Sequence, residues 1–193
     1  YLSEQNYGHT RDGKAYSLMS IPGLENYWGT GIFATEALTH EAIKALDKAK
    51  KYNQPFYLYM AHYAIHVPID KDMRFFPKYV RKGLSDKEAA YASLIEGMDK
   101  SLGDLLDFLE QYPETARNTI ILFMSDNGGH CLGQDKGGEP HTQNLPLREG
   151  KASVYEGGIR VPLIFRWPGK AAEGTRLNTP VINEDIFPTI LEM

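Results

Sequence analysis

The 193 residues predict an α/β fold, a mostly parallel sheet flanked by helices. Three features carry this reading. Two long stretches keep helical period, three short apolar runs are bounded by turn residues, and the order helix then strand recurs twice. An apolar fraction of 42% beside 24% charged residues suits a packed globular chain, without low-complexity tracts or repeats. The length suits one domain.

Residues 1 to 31, rich in Tyr, Gly, Asn and Ser, form an irregular surface segment with local turns. From Thr35 to Lys51, Leu38, Ala42, Ala45, Leu46 and Ala49 recur at helical spacing while lysines and Asp47 fill the remaining surface, so an amphipathic helix is expected. Pro55 to Ala61 is a short aromatic-rich apolar run behind a proline, expected as a buried strand. A loop with Pro68 and Pro77 follows. Ser85-Asp86-Lys87-Glu88 then matches a capping box, and Tyr91, Leu94, Ile95, Met98, Leu102, Leu105 and Leu109 extend one helical face for about seven turns, up to Tyr112-Pro113.

Residues 118 to 125, centred on Ile120-Ile121-Leu122-Phe123-Met124, read as a central strand with both faces covered. The polar, aperiodic stretch from Asp126 to Gly150 reads as a functional loop. A third strand is expected over Val161 to Trp167, and a last helix begins near Glu184.

Composition removes several function classes. A net charge of -4 without a dense Lys/Arg block argues against a nucleic-acid footprint. No apolar run reaches the roughly 20 residues of a membrane helix. The lone Cys131 has no partner for an internal disulfide and no zinc-finger spacing.

Asp126 and Asn127 lie just past the end of an apolar strand, where ligands collect in open α/β sheets. A carboxylate beside a carboxamide offers two hard oxygens suited to Ca²⁺ or Mg²⁺. Asp-Asn-Gly-Gly is equally a turn sequence, and local sequence leaves both readings open. His62 and His66 have the four-residue spacing of a helical zinc pair, but the run before them reads as strand and Val67-Pro68 disfavours helix. His66 is placed to donate a proton to a leaving group. His62 reads as a hydrogen-bonded structural histidine. Lys151 lies among glycines that let backbone approach a ligand. A lone lysine there is ordinarily solvated, and only the context of a tetrahedral anion beside a metal, which spacing does not supply, would make it a charge-balancing group.

Four segments in order complete the pattern. They are Pro55 to Ala61 with Ala64-Ile65-His66-Val67-Pro68; Tyr91 to Gly103 with Met98-Asp99; Asn118 to Gly128 with Ser125-Asp126-Asn127-Gly128; and Lys151 with Tyr155 to Pro162. On these the chain resembles the sulfatase family of the alkaline-phosphatase-like superfamily. The resemblance implies that Asp126 and Asn127 are metal ligands, for Ca²⁺ in preference to Mg²⁺. It also implies that His66 and Lys151 are the catalytic and substrate-binding groups contacting the sulfate or its leaving oxygen. The expected activity is metal-dependent hydrolysis of a sulfated small molecule or glycan, in a periplasmic, lysosomal or extracellular setting, with oligomeric state left open.

The resemblance also implies a formylglycine nucleophile, made from a Cys/Ser-x-Pro-x-Arg motif, together with further metal carboxylates and a Lys-x-His pair. These 193 residues lack them: Cys131 leads into Leu132-Gly133-Gln134-Asp135, and Ser20-Ile21-Pro22-Gly23-Leu24 has Leu24 where arginine is required. The expectation is a partial catalytic domain over residues 1 to 193, itself inactive, with the nucleophile and a C-terminal subdomain elsewhere in a longer protein. The rival readings are a phosphodiesterase or phosphonate hydrolase of the same superfamily and a non-catalytic binder of sulfated glycans.

Overall fold

The computed structural model describes residues 10–11, 14–15, 21–131 and 141–193. These fall into two compact units, the first running to Tyr112 and including His141, the second containing the rest from Pro113 onward.

The first unit begins with a short antiparallel pair, β1 (Thr10–Arg11) with β2 (Lys14–Ala15). It is otherwise helical: α1 (Ala34–Lys51), α2 (Phe76–Arg81) and α3 (Asp86–Glu110). Helix α3 starts at the expected capping box, with Ser85 Oγ accepting from the Glu88 N–H and Glu88 Oε2 accepting from the Ser85 N–H. Such a cap contributes about 1 kcal/mol by satisfying otherwise orphaned amides. Helices α1 and α3 join through Ala42, Leu46 and Leu105, with Ile43, Leu58, Met60 and Phe108 packed around them. Burying a leucine such as Leu46 contributes about 1.5–3 kcal/mol. Phe76, Ala89 and Ala90 fix α2 on α3.

A fully buried carboxylate, Asp72, ties the segment before α2 to α3. Arg74 holds it with two bonds, Nε to Oδ1 at 2.9 Å and Nη2 to Oδ2 at 2.6 Å. The Asp72 N–H donates to Ser93 Oγ, which donates in turn to Ala90 O. Gly97 faces this group, and a Cβ there would stand 2.7 Å from Asp72 Oδ2, so any larger residue would have to displace the carboxylate.

The second unit contains α4 (Pro113–Arg117), β3 (Ile121–Met124), α5 (Glu156–Ile159), β4 (Leu163–Arg166) and α6 (Ile186–Glu192). Strands β3 and β4 pair in the register Ile121↔Arg166 to Met124↔Leu163.

Helices α1, α3 and α6 agree with the sequence reading to within a few residues, and two of the three strands form. Helix α2 falls in the stretch read as a loop, with Pro77 in its first turn where the missing N–H costs nothing, and the short α4 and α5 were not expected. Three further expectations need correction. The β3–β4 ladder is antiparallel, and the sheets among the described residues have two strands each. Among its described residues the β3–β4 connection carries no helix longer than the four-residue α5, so it does not form the helical crossover by which parallel strands are usually joined. Strand β3 is half-buried throughout instead of covered on both faces. Pro55 to Ala61 is neither helix nor strand. Its side chains do alternate, with Leu58 and Met60 packed inward while Tyr57 and Tyr59 stand exposed. Its backbone finds no hydrogen-bond partner among the described residues, and alternation without a neighbouring strand cannot make a ladder. Of the irregular stretch over residues 1 to 31, residues 21 to 31 show the expected turns, including Gly23 and Gly29 at positive φ. Residues 132 to 140 of the predicted functional loop lie outside the described residues.

Candidate active site

His66 belongs to the first unit; Asp126, Asn127 and Lys151 belong to the second. His66 is exposed and follows a tight turn, its N–H donating to Tyr63 O at 2.9 Å. This corrects the placement at a strand end, since no strand precedes it. Its Nδ1 is 2.9 Å from Val67 O. A carbonyl only accepts, so Nδ1 carries the proton and Nε2 is the nitrogen left to meet a substrate. The ring lines a shallow cleft with Tyr63, Val67, Pro68, Asp70 and Leu94.

His62 has a different role. Thr39 Oγ1 donates to Thr35 O and lies 2.5 Å from Ser101 Oγ. Ser101 therefore gives its proton to Thr39 and accepts from His62 Nε2 at 3.4 Å. The buried Nδ1 is then a bare lone pair. Burial lowers the His62 pKa from its ordinary value by penalising the imidazolium. His62 is the structural histidine that the sequence suggested.

Asp126 and Asn127 stand just beyond β3, as expected. Ser125 Oγ donates to Asn127 O at 2.9 Å and pins the turn. The Asp126 carboxylate is exposed and takes no ion pair among the described residues. Past this pair the chain enters a compact backbone knot. The Gly128 N–H donates to Gly158 O at 2.9 Å, and Gly129 O accepts from the Lys151 N–H, also at 2.9 Å. The Gly157 N–H donates to Arg148 O at 2.8 Å. A Cβ on Gly128 would lie 1.9 Å from Gly157 O, and one on Gly157 would lie 2.0 Å from Glu149 O. Only glycine permits these approaches.

Lys151 is thus anchored by its backbone to Gly129, two residues after Asn127. Its side chain is half-buried and enters no ion pair among the described residues. Left-handed non-glycine residues flank it: Glu149 at φ 61 and Ala152 at φ 72. Such conformations cost on the order of 1 kcal/mol and persist where surroundings enforce them, often at functional sites. Arg148 stacks on Tyr155 with its guanidinium carbon 3.8 Å from the ring centre.

Sequence reasoning missed Asn144. Its Nδ2 lies 3.1 Å from each of three carbonyl oxygens, those of Gly129, Glu149 and Gly157, and 3.2 Å from Cys131 Sγ. An asparagine in a polar loop gives no local sign of such a role, because its partners lie up to fifteen residues away.

For a metal, the donor chemistry of Asp126 and Asn127 fits a hard cation, but two donors do not complete its shell. No group of three or more His, Cys, Asp or Glu side chains able to hold a metal occurs among the described residues.

The sequence profile of the sulfatase family matches residues 3–193, so the chain belongs to the sulfatase family. A sulfatase of Formosa agariphila is 34% identical over 91% of this chain and 33% of its own length. Human steryl-sulfatase is 33% identical over 82% of this chain and 26% of its own length. Among solved structures, Ps i-CgsB in complex with k-i-k-neocarrahexaose superposes with a TM-score of 0.72 at 35% identity, over 83% of this chain and 34% of that one. The chain therefore spans about a third or less of the length of these relatives.

Proposed function

We propose that these 193 residues work within a longer sulfatase that hydrolyses sulfate esters, contributing the leaving-group acid and part of the metal and sulfate site. The observation that carries this is the turn holding Asp126 and Asn127, joined through Gly129 O to the backbone of Lys151 in a chain of this family. An anion-polarising pair and a cation are thereby fixed on one backbone framework. The complex of Ps i-CgsB with a neocarrahexaose supports a sulfated carbohydrate as the substrate class.

In this reading Lys151 offsets negative charge growing on the sulfate oxygens as the S–O bond breaks. For His66 to act as the leaving-group acid its ring enters the step as the imidazolium, giving the Nε2 proton to the departing oxygen and keeping the Nδ1–H bonded to Val67 O. A bound Ca²⁺ on Asp126 and Asn127 would supply Lewis-acid polarisation of a sulfate oxygen. The attacking nucleophile comes from a formylglycine outside these residues.

The test uses the longer polypeptide, assayed with an aryl sulfate, a sugar sulfate and an aryl phosphate diester. Turnover of both sulfates well above the diester is expected. Preferential diester cleavage would move the protein to the phosphodiesterase class, and binding of sulfated sugar without turnover would make it a binding protein. His66→Ala should depress sugar-sulfate turnover far more than aryl-sulfate turnover, because a phenol leaves without a proton and a sugar alcohol does not. Equal losses would remove His66 from the acid's role.

A further inference from the structure

Asn144 occupies a position that sequence gave no reason to notice. Its amide nitrogen has two hydrogens, yet three backbone carbonyls and a thiol sulfur surround it at 3.1 to 3.2 Å. Turning the amide over would set its oxygen against three carbonyl oxygens, so the orientation is determined by its surroundings. The three carbonyls belong to different parts of the knot. Gly129 follows the Asp126–Asn127 turn, Glu149 precedes Lys151 by two residues, and Gly157 lies in α5.

The carbonyl of Gly129 is shared, since it also accepts the Lys151 N–H at 2.9 Å. Two of the four contacts therefore fall on either side of the lysine's attachment. The third holds α5, whose Gly158 O accepts from the Gly128 N–H. Glu149, one of the bonded residues, is held left-handed at φ 61. A lone β-carbon residue does not choose that conformation, so something must hold it, and the Asn144 amide bonds its carbonyl directly.

The fit is close on the other side of the amide as well. A Cβ on Gly129 would stand 2.7 Å from Asn144 Oδ1, and one on Gly150 would stand 2.9 Å from Nδ2. The glycines of this loop thus leave room for one carboxamide.

We propose that Asn144 is a positioning residue, whose amide clamps the Gly129 and Glu149 carbonyls so that Lys151 is presented in register with the Asp126–Asn127 turn. This deepens the sulfatase reading and rests on it for the role of Lys151. Asn144 does not touch substrate. It acts through the lysine, and this makes a specific thermodynamic signature: removing Asn144 should matter only while Lys151 is present.

The experiment measures binding of inorganic sulfate by calorimetry to the longer polypeptide, as wild type, Asn144→Ala, Lys151→Ala and the double variant. Asn144→Ala should weaken sulfate about tenfold, and Lys151→Ala about a hundredfold. The double variant should bind no more weakly than Lys151→Ala alone. Additive losses, or unchanged affinity in a folded Asn144→Ala protein, would overturn the proposal. Should Asn144→Ala fail to fold, Asn144→Ser keeps one donor and carries the same cycle, with an intermediate loss expected and additivity again contradicting it. Failure of the sulfatase reading looks different: wild type that binds sulfate with this coupling pattern but hydrolyses no sulfate ester would refute the activity and leave the clamp standing.

Discussion

The two units hold their candidate site residues by different means. In the first, His66 rides on an irregular segment whose neighbours are fixed by side chains: Leu58 and Met60 pack beside Leu46 and Leu105, and Asp72 pairs with Arg74. In the second, Asp126, Asn127 and Lys151 are fixed by backbone against backbone, through Gly128, Gly129, Gly157 and Gly158. A side-chain core is most sensitive to a deletion, which leaves a cavity that its surroundings fill only in part. A backbone knot has no slack for an addition, so the two units should differ in which substitutions they tolerate.

The largest effect should follow from adding one carbon to the knot. Gly128→Ala puts Cβ 1.9 Å from Gly157 O, and urea unfolding should show a loss of about 4 kcal/mol or no folded second unit at all. A loss under about 1 kcal/mol would show that the knot opens readily and would erase the contrast. In the first unit the sensitive change is a deletion: Leu46→Ala should cost about 3 kcal/mol by leaving a cavity between α1 and α3. Gly97→Ala sharpens the comparison, since its Cβ would meet the end of a side chain, Asp72 Oδ2 at 2.7 Å, which can shift. A smaller loss of about 1–3 kcal/mol is expected there.

A pH effect is expected in the first unit. The folded pKa of His62 is lowered by burial, so between that value and the ordinary value near 6.5 the unfolded chain binds more protons. The stability that His62 contributes by remaining neutral is complete above the ordinary value and falls as pH drops below it. The melting temperature should therefore decline between about pH 7.5 and pH 5.5, and the decline should be shallower in His62→Gln. An identical slope in the variant would mean that other groups carry it. The smallest effect is expected at Ala152, where glycine would relieve φ 72. Ala152→Gly should stabilise by about 0.5–1 kcal/mol in thermal melts.

The same division explains what the sequence disclosed. Helices α1 and α3 were legible because their period and capping box are local, and Asp126 and Asn127 because a turn after an apolar run marks a strand end. Lys151 needed the resemblance, since one lysine among glycines carries no signature. Pro55 to Ala61 misled because alternation of side chains does not reveal whether a neighbouring strand exists to accept its hydrogen bonds. The direction of β4 against β3 was also hidden, being set by the loop between them. Asn144 was invisible because its role consists of four contacts to atoms distant in sequence, three of them to backbone that any residue type would provide.

The central proposal is that this chain contributes part of a metal and sulfate site, with Asp126 and Asn127 as two hard-oxygen donors that other residues of a longer protein would complete. Calorimetry with Ca²⁺ on the 193-residue chain and on the longer polypeptide tests it most directly. Ca²⁺ takes six to eight oxygens and gains affinity from several carboxylates, so the longer polypeptide should bind tightly and the 193-residue chain weakly or not at all. Tight stoichiometric binding by the 193 residues alone, in the micromolar range or better, would contradict it.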